Sequence, residues 1–198
     1  RQKVIKVKTP PRPAGQSDVL KLRCEPISTV RVGFIGIGSR GLAAVHRFLS
    51  IPGVEIKALC DLESENLDKA RALLVHAKFP AAQEYSSKNG YKEICERQDI
   101  DLIYIATDWL HHTPMMVYAM EHGKHVACEV PAAMNMEEIW KTIDTAERTR
   151  KHCMMLENCV YDFFEITTLN MAQQGLFGEI THVKGAYNHC LQEYWDAY

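Results

Sequence analysis

A glycine-rich turn between two apolar segments constrains this chain more than any other feature of its sequence. The turn has the pattern G-x-G-x-x-G at Gly36, Gly38 and Gly41, and a β-branched run leads into it. A helical pattern follows, and a second β-branched run then ends at Asp61, 20 residues after Gly41. Strand, glycines, helix, strand and terminal acid in this order form the full fingerprint of a dinucleotide-binding βαβ unit.

Each part of this fingerprint predicts a physical role. Gly36 allows the tight turn, Gly38 lets the backbone approach a pyrophosphate, and Gly41 lets the helix pack closely on the strand. The helix N-terminus offers N–H groups and a positive dipole end to the phosphates. Asp61 would accept hydrogen bonds from the adenosine ribose and repel a 2′-phosphate, which favours NAD over NADP. Arg40 leaves NADP open, because a nearby guanidinium can hold such a phosphate.

The rest of the chain alternates strand-like and helical patterns from residue 30 onward. The run at 100–106 is almost continuously apolar, which is typical of a parallel strand covered on both faces. Alternating strands and helices with crossover connections predict an α/β fold with a doubly wound parallel sheet of the Rossmann type. A helix is predicted from about Pro114 to Glu121, with the proline at its first position.

Polar residues stand where the predicted strands end. Ligands bind doubly wound sheets outside the carboxyl ends of the strands, so these residues should meet at one edge. They are Asp61, the loop that contains Thr107, Trp109 and His112, then Glu129, and finally Asn158. Adjacent histidines at 111 and 112 without a third nearby ligand do not indicate a metal site.

Three regions are predicted along the chain. Residues 1–28, rich in Pro, Lys and Arg at first, form an extended N-terminal arm that lies on a neighbouring surface or is disordered. Residues 29–160 form the dinucleotide-binding domain. Residues 161–198 form a linker helix and the start of an incomplete substrate domain, whose first strand, from Ile180 to Ala186, alternates polar and apolar side chains.

Composition excludes several classes of protein. The formal charge of −2 gives no basic footprint for nucleic acid, and no apolar run reaches the roughly 18 residues of a membrane helix. The seven cysteines are scattered without a C-x-x-C pair, which favours free thiols and a reducing compartment. We therefore expect a cytoplasmic protein, or a periplasmic one if a signal segment was removed.

Further motifs carry a resemblance to a known family. The glycine turn, His112-Thr113-Pro114, Gly123-Lys124-His125-Val126 and Glu129-Val130-Pro131 resemble the Gfo/Idh/MocA family of sugar oxidoreductases over roughly residues 30–190. One branch is more similar still, the NAD-dependent α-N-acetylgalactosaminidases, which are glycosidases built on this fold. Its shared motifs are Trp109-x-x-His112, Leu156-Glu157-Asn158 and G-L-F-G-E-I at residues 175–180.

Fingerprint, strand ends and resemblance together predict one set of site residues. The predicted NAD contacts are Gly36, Ile37, Gly38, Ser39, Arg40, Gly41, Asp61, Thr107, Trp109, His112, Glu129, Val130 and Asn158. In the glycosidase branch a tyrosine after G-L-F-G-E-I contacts the sugar, which points to Tyr187. His189 lies two residues on, so Tyr187 and His189 share one face of a strand and are the candidates for proton transfer. A half-buried sheet face would explain this alternation equally well.

The resemblance implies a glycosidase that works by transient redox chemistry. NAD takes a hydride from the sugar C3, the C2 proton becomes acidic, the glycosidic bond breaks by elimination, and water and the hydride then return. The implied partner is a small sugar or glycoside, and a homo-oligomer is implied by analogy. Val130 stands where the oxidoreductases carry the Lys of E-K-P, and Cys190 stands where the glycosidase branch carries an Asp. An NAD(P)-dependent sugar or cyclitol dehydrogenase and a non-catalytic nucleotide-binding protein stay open as alternatives.

Overall fold

The computed structural model describes residues 10–186, 188 and 190, and it contains a six-stranded sheet flanked by helices. In chain order the elements are β1 (Val30–Ile35), α1 (Ser39–Phe48), β2 (Val54–Cys60), α2 (Ser64–His76), β3 (Gln83–Tyr85), α3 (Gly90–Glu96), β4 (Leu102–Ile105), α4 (Trp109–Glu121), β5 (His125–Glu129), α5 (Met136–Thr149), β6 (Cys153–Leu156) and α6 (Phe163–Gln173). All five strand pairs are parallel, in the order β3-β2-β1-β4-β5-β6. The predicted doubly wound parallel sheet is therefore confirmed.

The strand order reverses beside β1, and this reversal positions the site. Ile35 at the end of β1 pairs with Cys60 of β2 on one side and with Ile105 of β4 on the other. The connections after β1 and β4 leave the sheet toward opposite faces, which opens a crevice at the carboxyl ends of these two strands. The glycine turn follows β1 directly, so it lies at this crevice.

Two buried clusters cover the two faces of the sheet. Phe34 and Tyr104 belong to one cluster, whereas Ile35 and Ile105 belong to the other, because successive side chains of a strand point to opposite faces. Both faces of β1 and β4 are covered, which explains why these strands are almost continuously apolar. The cysteines are free, and Cys60 and Cys128 are buried among these side chains.

The described part of the N-terminal arm lies along α5. The Arg12 guanidinium donates from Nε to both carboxylate oxygens of Glu147, at 2.9 and 2.8 Å, and Gln16 Nε2 donates to Asp144 at 2.8 Å. Farther along, Arg150 donates to the Ser17 carbonyl at 2.8 Å. The Glu147 side chain is only 2% exposed, so the arm supplies the partner that this buried carboxylate needs.

Arg12→Ala should therefore destabilise the fold in a pH-dependent way. Hydrogen bonds from Arg12 and Gln16 hold the pKa of Glu147 below its usual value. A group with a depressed folded-state pKa stabilises the fold above its unfolded pKa, and this contribution is lost as the pH falls through the folded pKa. We expect the thermal midpoint to fall by about 2–4 °C at neutral pH. The difference from the parent protein should shrink below about pH 4.

A matched control is available on the same helix. Arg148 pairs with Glu121 at 2.8 Å, but their side chains are 52% and 42% exposed. Exposed pairs contribute little, so Arg148→Ala should leave the midpoint nearly unchanged. Thermal unfolding followed by circular dichroism compares the two variants. Equal midpoint losses in both, or a loss in R12A that does not shrink in acid, would contradict the role given to Arg12.

The predicted strand at residues 180–186 is wrong. Among the described residues this segment is irregular, and every position from 174 to 186 is exposed. Alternation of polar and apolar side chains can form a strand only where a second strand offers backbone partners, and the described chain contains none there. Contacts divide the chain into one unit that ends at Glu157 and a second that begins at Asn158. Helix α6 belongs to the second unit and ends before Gly175, which has a φ of +73°.

No helix within the described residues is long and apolar enough to cross a membrane.

Candidate cofactor-binding site

The three glycines of the turn have different surroundings. Gly36 has a φ of +84°, and a Cβ there would lie 2.5 Å from the Ala106 carbonyl oxygen. A Cβ on Gly41 would lie 2.0 Å from the Gly36 carbonyl oxygen, so only glycine lets α1 approach the turn this closely. A Cβ on Gly38 would meet nothing within 4 Å. The space beside Gly38 is therefore open for a ligand.

The N-terminus of α1 is suited to an anion. Gly38 is the N-cap residue, no side chain caps the helix, and the first turn, which includes the exposed Ser39, carries no acidic residue. The first amides of a helix have no carbonyl partner within it, and its dipole places partial positive charge there. Ile37, which precedes the N-cap residue, has its side chain in the core. The geometry fits the diphosphate of a dinucleotide.

Asp61 lies beside the glycine turn, directly after β2. Its Oδ2 accepts the Ile37 amide at 2.6 Å, and its Oδ1 accepts the Glu63 amide at 2.9 Å and the Asn66 side-chain amide at 3.2 Å. The Ile37 amide is therefore engaged by protein, and the amides that follow it are the ones that a diphosphate could accept from. Carboxylate oxygens accept more than one hydrogen bond, so Asp61 keeps acceptor capacity for ribose hydroxyls.

The loop after β4 is shorter than the sequence predicted, because α4 begins at Trp109 and not at Pro114. Asp108 is the N-cap, and its side chain accepts the Leu110 amide at 3.1 Å. Pro114 lies inside the helix, in its second turn. The missed signal is an Asp at the N-cap position, which competes with the proline as a start signal. Trp109 consequently lies in the first helical turn with 59% of its surface exposed.

His112 joins two loops at the carboxyl edge of the sheet. Its ring is buried, with Nδ1 2.8 Å from the Pro131 carbonyl oxygen and Nε2 3.0 Å from that of Thr107. Thr113 donates its hydroxyl to the Ala132 carbonyl at 3.0 Å. The His112 ring thus lies between the segments after β4 and β5, with one ring nitrogen near a carbonyl of each. A contact between His112 and the cofactor stays a prediction, as it does for the half-buried Val130.

Glu129 ends β5 and is buried, with two protein partners. The Tyr104 hydroxyl donates to Oε1 at 2.5 Å, and the Arg40 Nε lies 3.0 Å from Oε2. This pair places the Arg40 guanidinium toward β5, whereas Asp61 follows β2, with β1 and β4 between these two strands. In this arrangement the Arg40 guanidinium lies toward Glu129 and not toward Asp61, which favours NAD over NADP.

The structure brings most of the predicted first-unit residues together. Contacts between Ile37 and Asp61 and between Arg40 and Glu129 join the carboxyl ends of β1, β2 and β5. Asn158 is the first residue of the second unit. Tyr187 and His189 lie outside the described residues, so their proposed roles stay predictions. Sequence reasoning missed Tyr104, because a tyrosine in an apolar strand carries no signal that distinguishes it from core.

No metal centre accompanies this site in the described part of the chain, which contains no group of three or more His, Cys, Asp or Glu side chains that could hold an ion.

Strand order, glycine turn and strand-end acids define a nucleotide-binding domain of the Rossmann type. Residues 30–157 match the sequence model of the Gfo/Idh/MocA group, described as an oxidoreductase family with an NAD-binding Rossmann fold. The chain belongs to this family, and NAD is its cofactor class.

Two curated relatives are much more similar to this chain than the family as a whole requires. The glycosyl hydrolase family 109 protein 1 of Phocaeicola vulgatus is 60% identical over 195 residues, which cover 98% of this chain and 41% of that protein. The alpha-N-acetylgalactosaminidase of Bacteroides fragilis is 59% identical over 191 residues, which cover 96% of this chain and 44% of that protein. The chain thus spans less than half the length of these relatives.

Solved structures show the same fold. The scyllo-inositol dehydrogenase of Lactobacillus casei, with bound NAD(H) and scyllo-inositol, has a TM-score of 0.69 to this chain. It is 21% identical, and the match covers 77% of this chain and 43% of that chain. At this identity the likeness concerns the fold alone.

Proposed function

We propose that the whole protein is an NAD-dependent glycosidase that acts on α-N-acetylgalactosaminides. The observation that carries this proposal is the 59% identity, across nearly the whole chain, to a protein named alpha-N-acetylgalactosaminidase. That match covers 96% of this chain. Val130 supports the same reading, because the ammonium that E-K-P oxidoreductases carry at this position is absent.

Bound NAD would supply a reversible hydride acceptor, which activates the sugar for elimination next to the oxidised carbon. The residues of this chain bind the cofactor and orient it. The α1 N-terminus holds the diphosphate beside Gly38, and Asp61 accepts the hydroxyls of the adenosine ribose. Glu129, on the β5 side, faces the other half of the dinucleotide. Such a site does not need the two carboxylates at fixed separation that ordinary glycosidases use.

In this proposal Tyr187 and His189 carry out proton transfer at the sugar. A phenol or an imidazole can hold and return a proton near a sugar carbon. The Val130 side chain cannot donate or accept a proton, so proton transfer requires another residue of the whole protein.

The test is hydrolysis of a chromogenic α-N-acetylgalactosaminide by the whole protein. We expect chromophore release that requires NAD in catalytic amount and that proceeds without net accumulation of reduced cofactor. Reduced cofactor that grows in proportion to a sugar or cyclitol would instead support a dehydrogenase. Tight NAD binding without turnover of any sugar would support a non-catalytic protein. Absence of release with NAD present would reject the glycosidase proposal.

A further inference from the structure

The crevice contains a buried phenol whose hydroxyl is not needed for packing. The Tyr104 ring packs against Phe34 at 5.1 Å and against Phe48 at 5.6 Å between ring centroids. A phenylalanine would fill this space equally well. The hydroxyl nevertheless reaches across from β4 to β5 and donates to Glu129 Oε1 at 2.5 Å.

We infer that Tyr104 is a positioning residue that fixes the Glu129 carboxylate for the nicotinamide half of the cofactor. This inference rests on the proposed function, in which that half of NAD lies beside Glu129. Tyr104 itself does not contact the cofactor. It acts by holding one carboxylate oxygen, so that the remaining lone pairs of Glu129 point in one direction before the cofactor arrives.

The two partners of Glu129 differ in mobility. Tyr104 is 2% exposed and is held by the aromatic rings around it, whereas the Arg40 side chain is 48% exposed. An exposed arginine can move when a ligand enters, but a phenol in a close-packed cluster cannot. Tyr104 is thus the fixed anchor of the carboxylate. Burial and the hydrogen bond to Glu129 raise the pKa of Tyr104, so the phenol remains a donor throughout the ordinary pH range.

The hydrogen bond is strong enough to matter for binding. A hydrogen bond to a charged group contributes more than one between neutral groups, and removing the donor leaves a buried carboxylate oxygen without it. Without this hydrogen bond the Glu129 carboxylate is ordered only when the cofactor binds. The free energy of ordering it then lowers the affinity for the cofactor. Tyr104→Phe should therefore weaken NAD binding about tenfold.

The experiment is a double-mutant cycle read by calorimetric titration of NAD and by thermal unfolding. Y104F should weaken NAD binding about tenfold in the parent and less than about threefold in a Glu129→Ala background, which has no side-chain oxygen to accept from Tyr104. Leu74→Ala is the control for a general loss of stability, because Leu74 is buried in the same core but lies ten residues after the start of α2, away from Tyr104 and Glu129. It should lower the unfolding midpoint and leave NAD affinity within about twofold.

A second variant covers the case in which Y104F does not fold. Glu129→Asp keeps the charge but withdraws the carboxylate from the Tyr104 hydroxyl by one methylene, and it should weaken NAD binding to a similar extent. Unchanged NAD affinity in Y104F or E129D, or an equal loss in the Glu129→Ala background, would overturn the inference alone. A parent protein that binds no NAD would overturn the proposed function and this inference together.

Discussion

Gly38→Ala should leave the fold as stable as the parent and weaken NAD binding by about 10- to 100-fold. Gly38 has φ −63° and ψ −167°, an extended conformation that alanine adopts without strain. A Cβ there meets no protein atom within 4 Å, so the methyl group would occupy only the space that a diphosphate needs. Thermal unfolding and calorimetric titration of NAD measure the two effects separately.

The matched control is the third glycine of the same turn. A Cβ on Gly41 would lie 2.0 Å from the backbone carbonyl oxygen of Gly36, a contact that side-chain motion cannot relieve. Gly41→Ala should therefore cost about 2–3 kcal/mol of unfolding free energy, because α1 must move away from β1. If G38A lost stability as G41A does, or bound NAD like the parent, the open space beside Gly38 would not be the diphosphate site.

The βαβ fingerprint was predictable from sequence because its constraints are local. Gly36 has a φ of +84° and Gly41 lies against the Gly36 carbonyl, so both requirements arise within one turn, and Asp61 follows the next strand. The parallel sheet was predictable for a related reason. Strands buried on both faces, as β4 is, have no polar side in their sequence, and crossover helices between them leave few arrangements.

The start of α4 was mispredicted because two local signals compete. Pro114 is typical of a first helical position, yet Asp108 caps the helix earlier and satisfies the Leu110 amide. Pro114 lacks the N–H for one backbone hydrogen bond of the second turn, and the helix nevertheless continues through it. The segment at 180–186 failed for the opposite reason. Its alternation is a genuine strand pattern, but strand formation depends on a partner that local sequence does not supply.

Side-chain contacts between neighbouring strands could not be predicted from the amino-acid sequence. Tyr104 and Glu129 are 25 residues apart, and Arg40 and Glu129 are farther apart still, so no spacing rule relates them. Their meeting depends on the register of β4 against β5 and on the placement of α1. The contact between Arg40 and Glu129 bears on function, because the sequence alone made Arg40 a candidate to bind a 2′-phosphate.

Asp61→Asn should reduce the preference for NAD over NADP by about tenfold or more. In the proposed binding mode the Asp61 carboxylate, which accepts the Ile37 amide at 2.6 Å, faces the ribose, where a 2′-phosphate would bring two further negative charges. Asparagine removes that repulsion and retains one carbonyl oxygen, which can still accept the Ile37 amide. The turn should therefore persist, while NAD loses part of its hydrogen bonding to the ribose. Parallel titrations with NAD and NADP measure the preference as a ratio, so a general loss of affinity cancels.

Two further variants separate the charge of Asp61 from its contacts. Asp61→Ala also removes the charge, but it leaves the amides of Ile37 and Glu63 without their acceptor, so it should lower the thermal midpoint as well. Arg40→Ala should leave the ratio of NAD to NADP affinity unchanged, because its guanidinium pairs with Glu129 on the other side of the crevice. A drop in R40A that is confined to NADP would place that guanidinium at the adenosine ribose, and an unchanged ratio in D61N would show that the carboxylate does not face the ribose.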